Sequence, residues 1–224
     1  MASIRTATIT PREQRQRVLA GARRAHVLAA ARSAFFEHGY EGASLREIAK
    51  RAGYTPGAIY SYFASKEEVY AALLGESLER LNQRVAEALP AAPARSVRQR
   101  AEAELRTRAL AFFDFYRENP RDLDLGFYLF QGMQPRGLTP ALNQRLNARL
   151  RDALAPSQRA LVALGLDEAD AITEVTALFA HIAGLLLLSH TGRIRMFGRR
   201  SDELFERYLR DLLARLPASA RTRR

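Results

Sequence analysis

Between Ala43 and Phe63 the chain reads ASLREIAKRAGYTPGAIYSYF, two apolar-periodic segments that are each too short to stand alone. A helix of fewer than about 12 residues is marginal in water, so both segments must be held by the chain around them. Leu45, Ile48, Ala49 and Ala52 form one stripe on the first segment; Ile59 and Phe63 form one on the second. Ser44-Leu45-Arg46-Glu47 reads as a capping box, Gly53 as the stop, and Thr55 as a cap placing Pro56 at the first helical position, where proline costs least. Helices over 44–52 and 55–63 joined by AGYT have the length and turn chemistry of a helix-turn-helix. A short rigid helix pinned on two others is the device that enters a major groove. An ordinary corner between two helices is the competing geometry.

The rest of the chain also reads as helix, without strand-like alternation. A long helix over 12–38 carries Val18, Ala22, Ala25, Leu28, Ala29, Ala34 and Phe35 as its apolar stripe and ends at Gly39. Ser65-Lys66-Glu67-Glu68 opens a connecting helix over 66–89, PAAPARS at 90–96 is the linker, and QGMQPRGL at 131–138 is a loop. Further helices are expected at 96–118, 120–133, 140–164, 168–191 and 202–216. The fold class is all-α, with about nine helices: a three-helix head in residues 1–66, a connecting helix in 67–89 and a larger body in 90–224.

Several function classes are poorly supported. The chain contains no cysteine, its four histidines stand in no ligand-like spacing, and no glycine-rich phosphate loop is present. Carboxylates sit on arginine-rich helix faces, where pairing one turn apart explains them. No metal, cofactor or catalytic residue is expected, and the chain does not read as an enzyme. The N-terminus lacks an apolar signal core, and the longest apolar run, AGLLLLS at 183–189, is shorter than the roughly 20 residues needed to span a bilayer. A cytoplasmic protein without a membrane partner is the expectation. The net charge of +11 favours polyanions, nucleic acid before an anionic membrane. Residues 1–32 hold seven arginines against Glu13 alone, either a flexible minor-groove arm or a solvated extension touching phosphates non-specifically. Arginine-rich composition also follows from a GC-rich genome.

Over residues 30–74 the chain resembles the DNA-binding head of the TetR family of one-component bacterial repressors. The resemblance rests on Phe35, Gly39, Tyr40, Ser44, Ile48, Ala49, Ala52-Gly53, Gly57, Ile59-Tyr60, Tyr62-Phe63 and Lys66. It implies that Thr55, Pro56, Gly57, Ala58 and Ser61 face base edges, with Tyr60, Tyr62 and Lys66 on phosphates and Ser44 and Arg46 near the backbone. Free N–H groups at the helix starts and hydroxyl and ammonium donors suit phosphate. Gly57 and Ala58 suit close approach, while Thr55 and Ser61 are modest readers of bases. Plainer roles compete: Tyr60 as core, Arg46 as a solvated charge, Lys66 as the partner of a carboxylate.

In the body, Phe112, Phe113, Tyr116, Phe127, Tyr128, Phe130, Met133 and His181 are candidates for a ligand pocket, with closed core as the alternative. The last two helices offer Ala177, Ala180, Gly184, Leu187, Leu204, Phe205, Tyr208 and Leu212 as a two-fold dimer seam, which is how the resembled family dimerises. The expected function is a homodimeric repressor of a palindromic double-stranded DNA operator, released by a small apolar or aromatic effector. A constitutive DNA binder and a basic membrane-surface protein are the alternatives.

Overall fold

The structure, a computed structural model, describes residues 10–127 and 138–217. Among these, nine α-helices and no strand occur: α1 Pro11–Gly42, α2 Leu45–Arg51, α3 Pro56–Tyr60, α4 Lys66–Glu87, α5 Val97–Glu118, α6 Pro120–Phe127, α7 Pro140–Ala163, α8 Glu168–His190 and α9 Ser201–Arg215. A 3-10 turn, Arg195–Phe197, precedes α9. The all-α expectation holds, and several starts coincide with a side-chain cap, although α9 begins after Arg200 without one. Ser44, Thr55, Ser96 and Asp167 each accept a backbone N–H of their own helix's first turn. The expected loop at 131–138 lies almost wholly outside the described residues.

The chain forms two compact units. One holds 10–73 and 138–142 of the described residues, the other 74–127 and 143–217, so the division falls inside α4 rather than at its start. The first unit is built on α1, whose backbone breaks at Gly39 (φ 68°, ψ 175°), the residue expected to end it. Its buried stripe is Val27, Leu28, Ala31, Ala34 and Phe35. The expected stripe began too early: Val18, Ala22, Ala25 and Ala29 are exposed, because the apolar period runs past the point where the head ends. Phe35, Tyr40 and Tyr70 pack with ring centroids 5.4–5.8 Å apart, two pairs edge-on and one stacked.

In the second unit α5 is the spine. Phe113 stacks on Phe205 of α9 at 4.6 Å, and Phe112 meets Tyr116 at 5.4 Å and Phe179 of α8 at 5.9 Å. Arginines close the loose ends. Arg108 donates to the carbonyls of Val85 and Ala86 at the end of α4, Arg149 Nη1 to that of Gly75 at 3.0 Å, and Arg98 to that of Pro217. The Val85 and Ala86 carbonyls, in the last turn of α4, thus find a cation, whereas Gly75 lies within α4 and Pro217 follows α9.

This packing corrects part of the expected seam. Phe205 and Leu212 are wholly buried in the chain's own core. Leu187, Leu204 and Tyr208 are half-buried, whereas Ala177, Ala180 and Gly184 are exposed on α8. The stripe on α9 faces inward because one 15-residue amphipathic helix has a single apolar face, and the body takes it. Of the pocket candidates, Phe112, Phe113 and Tyr116 are buried, and His181 is half-buried with its ring stacked on Tyr208 at 4.0 Å. Phe127 ends α6; Tyr128, Phe130 and Met133 lie outside the described residues. By length and composition α8 is long and apolar enough to cross a membrane, a test that a core helix also passes, and Leu178, Ile182 and Leu186 of α8 are wholly buried in the body.

At the start of α9 Arg200 grips Asp202 through two bonds of 3.1 and 2.5 Å, and Asp202 Oδ1 also accepts the Glu203 N–H at 3.0 Å. Chiefly through the guanidinium, the carboxyl pKa falls to about 2. A depressed pKa in the folded state means a contribution present above the unfolded value of about 3.9 and lost as pH falls through the folded one. Asp202→Asn should therefore flatten the pH dependence of stability between those limits, read from urea unfolding midpoints. Phe205→Ala, which empties a stacked core position, should cost about 3–5 kcal/mol in the same assay.

Candidate nucleic-acid interface

The candidate interface is assembled on α2, a four-residue turn and α3. Ser44 caps α2 by accepting the Glu47 N–H at 3.1 Å. The Glu47 carboxylate takes up Arg51 Nε at 2.9 Å, where the capping box expected it to reach back to Ser44. After α2 the Tyr54 N–H returns to the Ala49 carbonyl at 2.9 Å, across Gly53 at φ 68°. That left-handed residue turns the chain at a cost only glycine avoids, so the stop read from the sequence has a conformational reason. Thr55 then accepts the Ala58 N–H at 3.3 Å, and Pro56 opens α3.

Five residues of helix cannot hold themselves. Ile59, wholly buried, and Phe63, nearly so, pin α3 to the head. Each buried apolar side chain of this size is worth about 1.5–3 kcal/mol. The opposite side faces out: Thr55, Pro56, Gly57, Tyr60 and Ser61 are exposed, Ala58 half-buried, and a Cβ built on Gly57 would meet nothing within 4 Å. The result is a surface bare at Gly57, flanked by the Thr55 and Ser61 hydroxyls and the exposed Tyr60 ring. Ser61 Oγ donates its proton to the Ala58 carbonyl at 2.7 Å and keeps lone pairs for outward acceptance. Thr55 spends a lone pair on its cap and keeps its proton for outward donation.

The expected phosphate contacts fare differently from one another. Tyr60 is exposed rather than core, Ser44 and Arg46 are exposed, and Tyr62 is half-buried. Lys66 is engaged: Nζ donates to the Tyr40 carbonyl at 2.7 Å and lies 4.2 Å from the centre of its ring. Two of its three protons remain for another acceptor. The Tyr40 hydroxyl donates to Glu67 Oε1 at 2.9 Å, and burial, then that carboxylate, raises the phenol pKa above its ordinary value. Lys66 therefore fastens the start of α4 to the end of α1. Neither the carbonyl nor the ring had been paired with Lys66 by the sequence.

Other residues went unnoticed in the sequence. His26 Nε2 lies 3.1 Å from the Ala52 carbonyl, which can only accept, so the imidazole carries a proton there; its ring meets Tyr54 edge-on at 6.0 Å. Arg51 reaches Glu37 at 2.6 Å, Ser33 Oγ at 3.2 Å and His38 Nε2 at 2.8 Å, tying α2 to α1. The carboxylates of Glu37 and Glu47 raise the guanidinium pKa, and Arg51 lowers that of Glu37. The guanidinium of Arg24 lies 4.9 Å from the centre of the Phe63 ring. Among these, only Arg51 with Glu47 had a local signal, opposite charges four residues apart.

Known proteins share both units. The family described as bacterial regulatory proteins, tetR family, matches residues 27–73, and a tetracyclin repressor-like C-terminal domain matches residues 105–212. The repressor AcnR of Corynebacterium diphtheriae is 43% identical over 65 residues, covering 29% of this chain and 34% of its own length. The activator FasR of Mycolicibacterium smegmatis is 36% identical over 105 residues, covering 47% of this chain and 45% of its own. The chain thus spans less than half the length of either relative. A solved regulator of the TetR/AcrR family from Thermobifida fusca superposes with a TM-score of 0.57 at 28% identity, covering 91% of this chain and 100% of that one. With one family domain on the head, another on the body and the whole chain sharing the architecture, the protein belongs to the TetR family of bacterial regulators.

Proposed function

We propose that the protein is a sequence-specific regulator of transcription that binds DNA as a homodimer, each head laying α3 in a major groove. The observation that carries this reading is the outer face of α3: it is pinned from behind by Ile59 and Phe63, bare at Gly57, and bordered by the Thr55 and Ser61 hydroxyls and the exposed Tyr60. Such a surface gains little from reach and much from closeness, which suits backbone approach to base edges. Ser44, Arg46, Tyr60, Tyr62 and the remaining protons of Lys66 contact phosphate and fix the register. So few readers discriminate weakly alone, and two heads on a palindrome, about one helical turn of DNA apart, add their contributions.

The second copy docks on α8. Ala177, Ala180 and Gly184 leave an exposed row with little side chain on an otherwise apolar helix, which needs covering and allows close approach. Half-buried Leu187, Leu204 and Tyr208 border it. A small apolar or aromatic effector occupies the aromatic region of the body around Phe112, Tyr116 and His181. In support, His181 Nε2 is buried without a hydrogen-bond partner, and burial lowers the ring's pKa so that it stays neutral and can bond a ligand. Because α4 belongs to both compact units, it is the element through which a ligand in the body biases the heads. A coupling of about 1–3 kcal/mol is enough to shift operator occupancy between about fivefold and a hundredfold. Repression is the sign proposed, as for AcnR.

Selection of bound duplexes from a random pool should return a palindrome; a collection without consensus would defeat the sequence-specific reading. Gly57→Ala should leave the thermal midpoint unchanged or raised, since its Cβ enters open space. Gly57→Leu should fold equally well yet lose at least tenfold in operator affinity by holding α3 off the bases; retention of affinity would contradict the close approach. Ala180→Glu, on the exposed face of α8, should yield folded monomers by sedimentation that fail on the palindrome. Removing α9 is not an equivalent test, because Phe205, Leu209 and Leu212 belong to the core.

A further inference from the structure

We propose that the exposed beginning of α1 is a rigid cationic spar that lies along DNA phosphates beside the site read by α3. The proposal rests on the DNA-binding reading above and adds a contact surface outside the helix-turn-helix.

Residues 10–26 are exposed without exception, so α1 runs through four turns before its first buried residue, Val27. This stretch is nevertheless helical from Pro11, and a complete capping box closes its start. The Thr10 N–H donates to Glu13 Oε2 at 2.8 Å, and the Glu13 N–H donates to Thr10 Oγ1 at 3.3 Å. Glu13 is the only acid in the stretch and is committed to that cap. Arg12, Arg15, Arg17, Arg23 and Arg24 project from the same exposed helix. Five cations beside one occupied carboxylate, on a helix with no core to serve, form a surface complementary to a polyanion.

Two observations decide how it meets DNA. An α-helix with its side chains is about 10–12 Å across, whereas the minor groove is about 6 Å wide, so this segment does not enter that groove as a flexible arm would. The major groove is taken by α3. Phosphates remain, and guanidinium groups pair with them through two parallel bonds. Direction comes from Arg24, whose guanidinium lies over Phe63 just beyond the end of α3. Arg17 stands seven residues earlier, two turns along the same face. That face therefore runs outward from the recognition helix, carrying its cations past the bases.

The test is a salt titration of binding to the selected operator and to a random duplex, followed by fluorescence anisotropy on the full chain. Arg17→Gln with Arg24→Gln should reduce the slope of log affinity against log salt by about 1.8, the value for two phosphate contacts. It should weaken both duplexes by the same factor. Arg17→Gln alone, at a position remote from the core, should give half that change. Ala20→Pro keeps every charge but breaks the spar between the two arginines, and should lose as much affinity as the double variant. Arg193→Gln with Arg195→Gln, an equal loss of charge in the body, should leave the slope unaltered. The spar is overturned by an unchanged slope in the double variant, by an equal fall in the body control, or by a loss confined to the operator. Wild-type affinity in Ala20→Pro overturns it too, restoring a flexible arm. In each of these cases the wild type still binds the operator and the regulatory reading stands; a wild type that binds neither duplex overturns both.

Discussion

The anchoring of α3 by Ile59 and Phe63 is the constraint on which the head depends. A five-residue helix has almost no stability of its own, and everything presented outward from Thr55 to Ser61 keeps its place through two side chains pointing inward. The rest of the head serves that anchor. Arg51 ties α2 to α1, His26 holds the turn by the Ala52 carbonyl, and Lys66 fixes α4 to Tyr40. Each bond is modest alone, about 0.5–1.5 kcal/mol for a typical hydrogen bond, and rather more where a charge is involved. Together they make the bare face of α3 a rigid one, which suits a surface that would work by closeness rather than by reach.

The body follows a different economy. Its core is a ladder of rings and aliphatic side chains on α5, α8 and α9, with Arg108 closing the end of α4. The aromatic residues of the body pack its core, Phe113 stacking on Phe205. His181 differs, since a buried ring nitrogen without a partner forfeits a hydrogen bond that a ligand could restore. On α8 the contrast is between faces: Leu178, Ile182 and Leu186 are wholly buried, while Ala177, Ala180 and Gly184 stay open. The same helix thus supports the core with one face and leaves the other open.

Much of this was legible because it is local. Caps, stops and proline positions depend on residues three or four apart, so the helix starts at Ser44, Thr55, Ser96 and Asp167 could be read directly. Faces were harder. Val18, Ala22 and Ala25 continue the apolar period of α1 into solvent, because periodicity reports what a helix could bury and not whether anything is there to bury it. On α9, Phe205 and Leu212 have the same pattern whether they serve the core or a partner, and only packing against α5 and α8 separated the two.

By itself, the sequence determined the all-α class, the helix starts, the glycine stops at Gly39 and Gly53, and the plain composition of α3, since all of these follow from short-range hydrogen bonding and backbone sterics. Tertiary structure decided the partners: Lys66 with Tyr40, Arg51 with Glu37, His26 with the Ala52 carbonyl, Arg24 with Phe63. It also decided that the arginine-rich beginning is a helix standing clear of the head. Such contacts join residues 14–39 positions apart, and no local rule states which charge or ring will arrive; that is settled only when the apolar faces have packed.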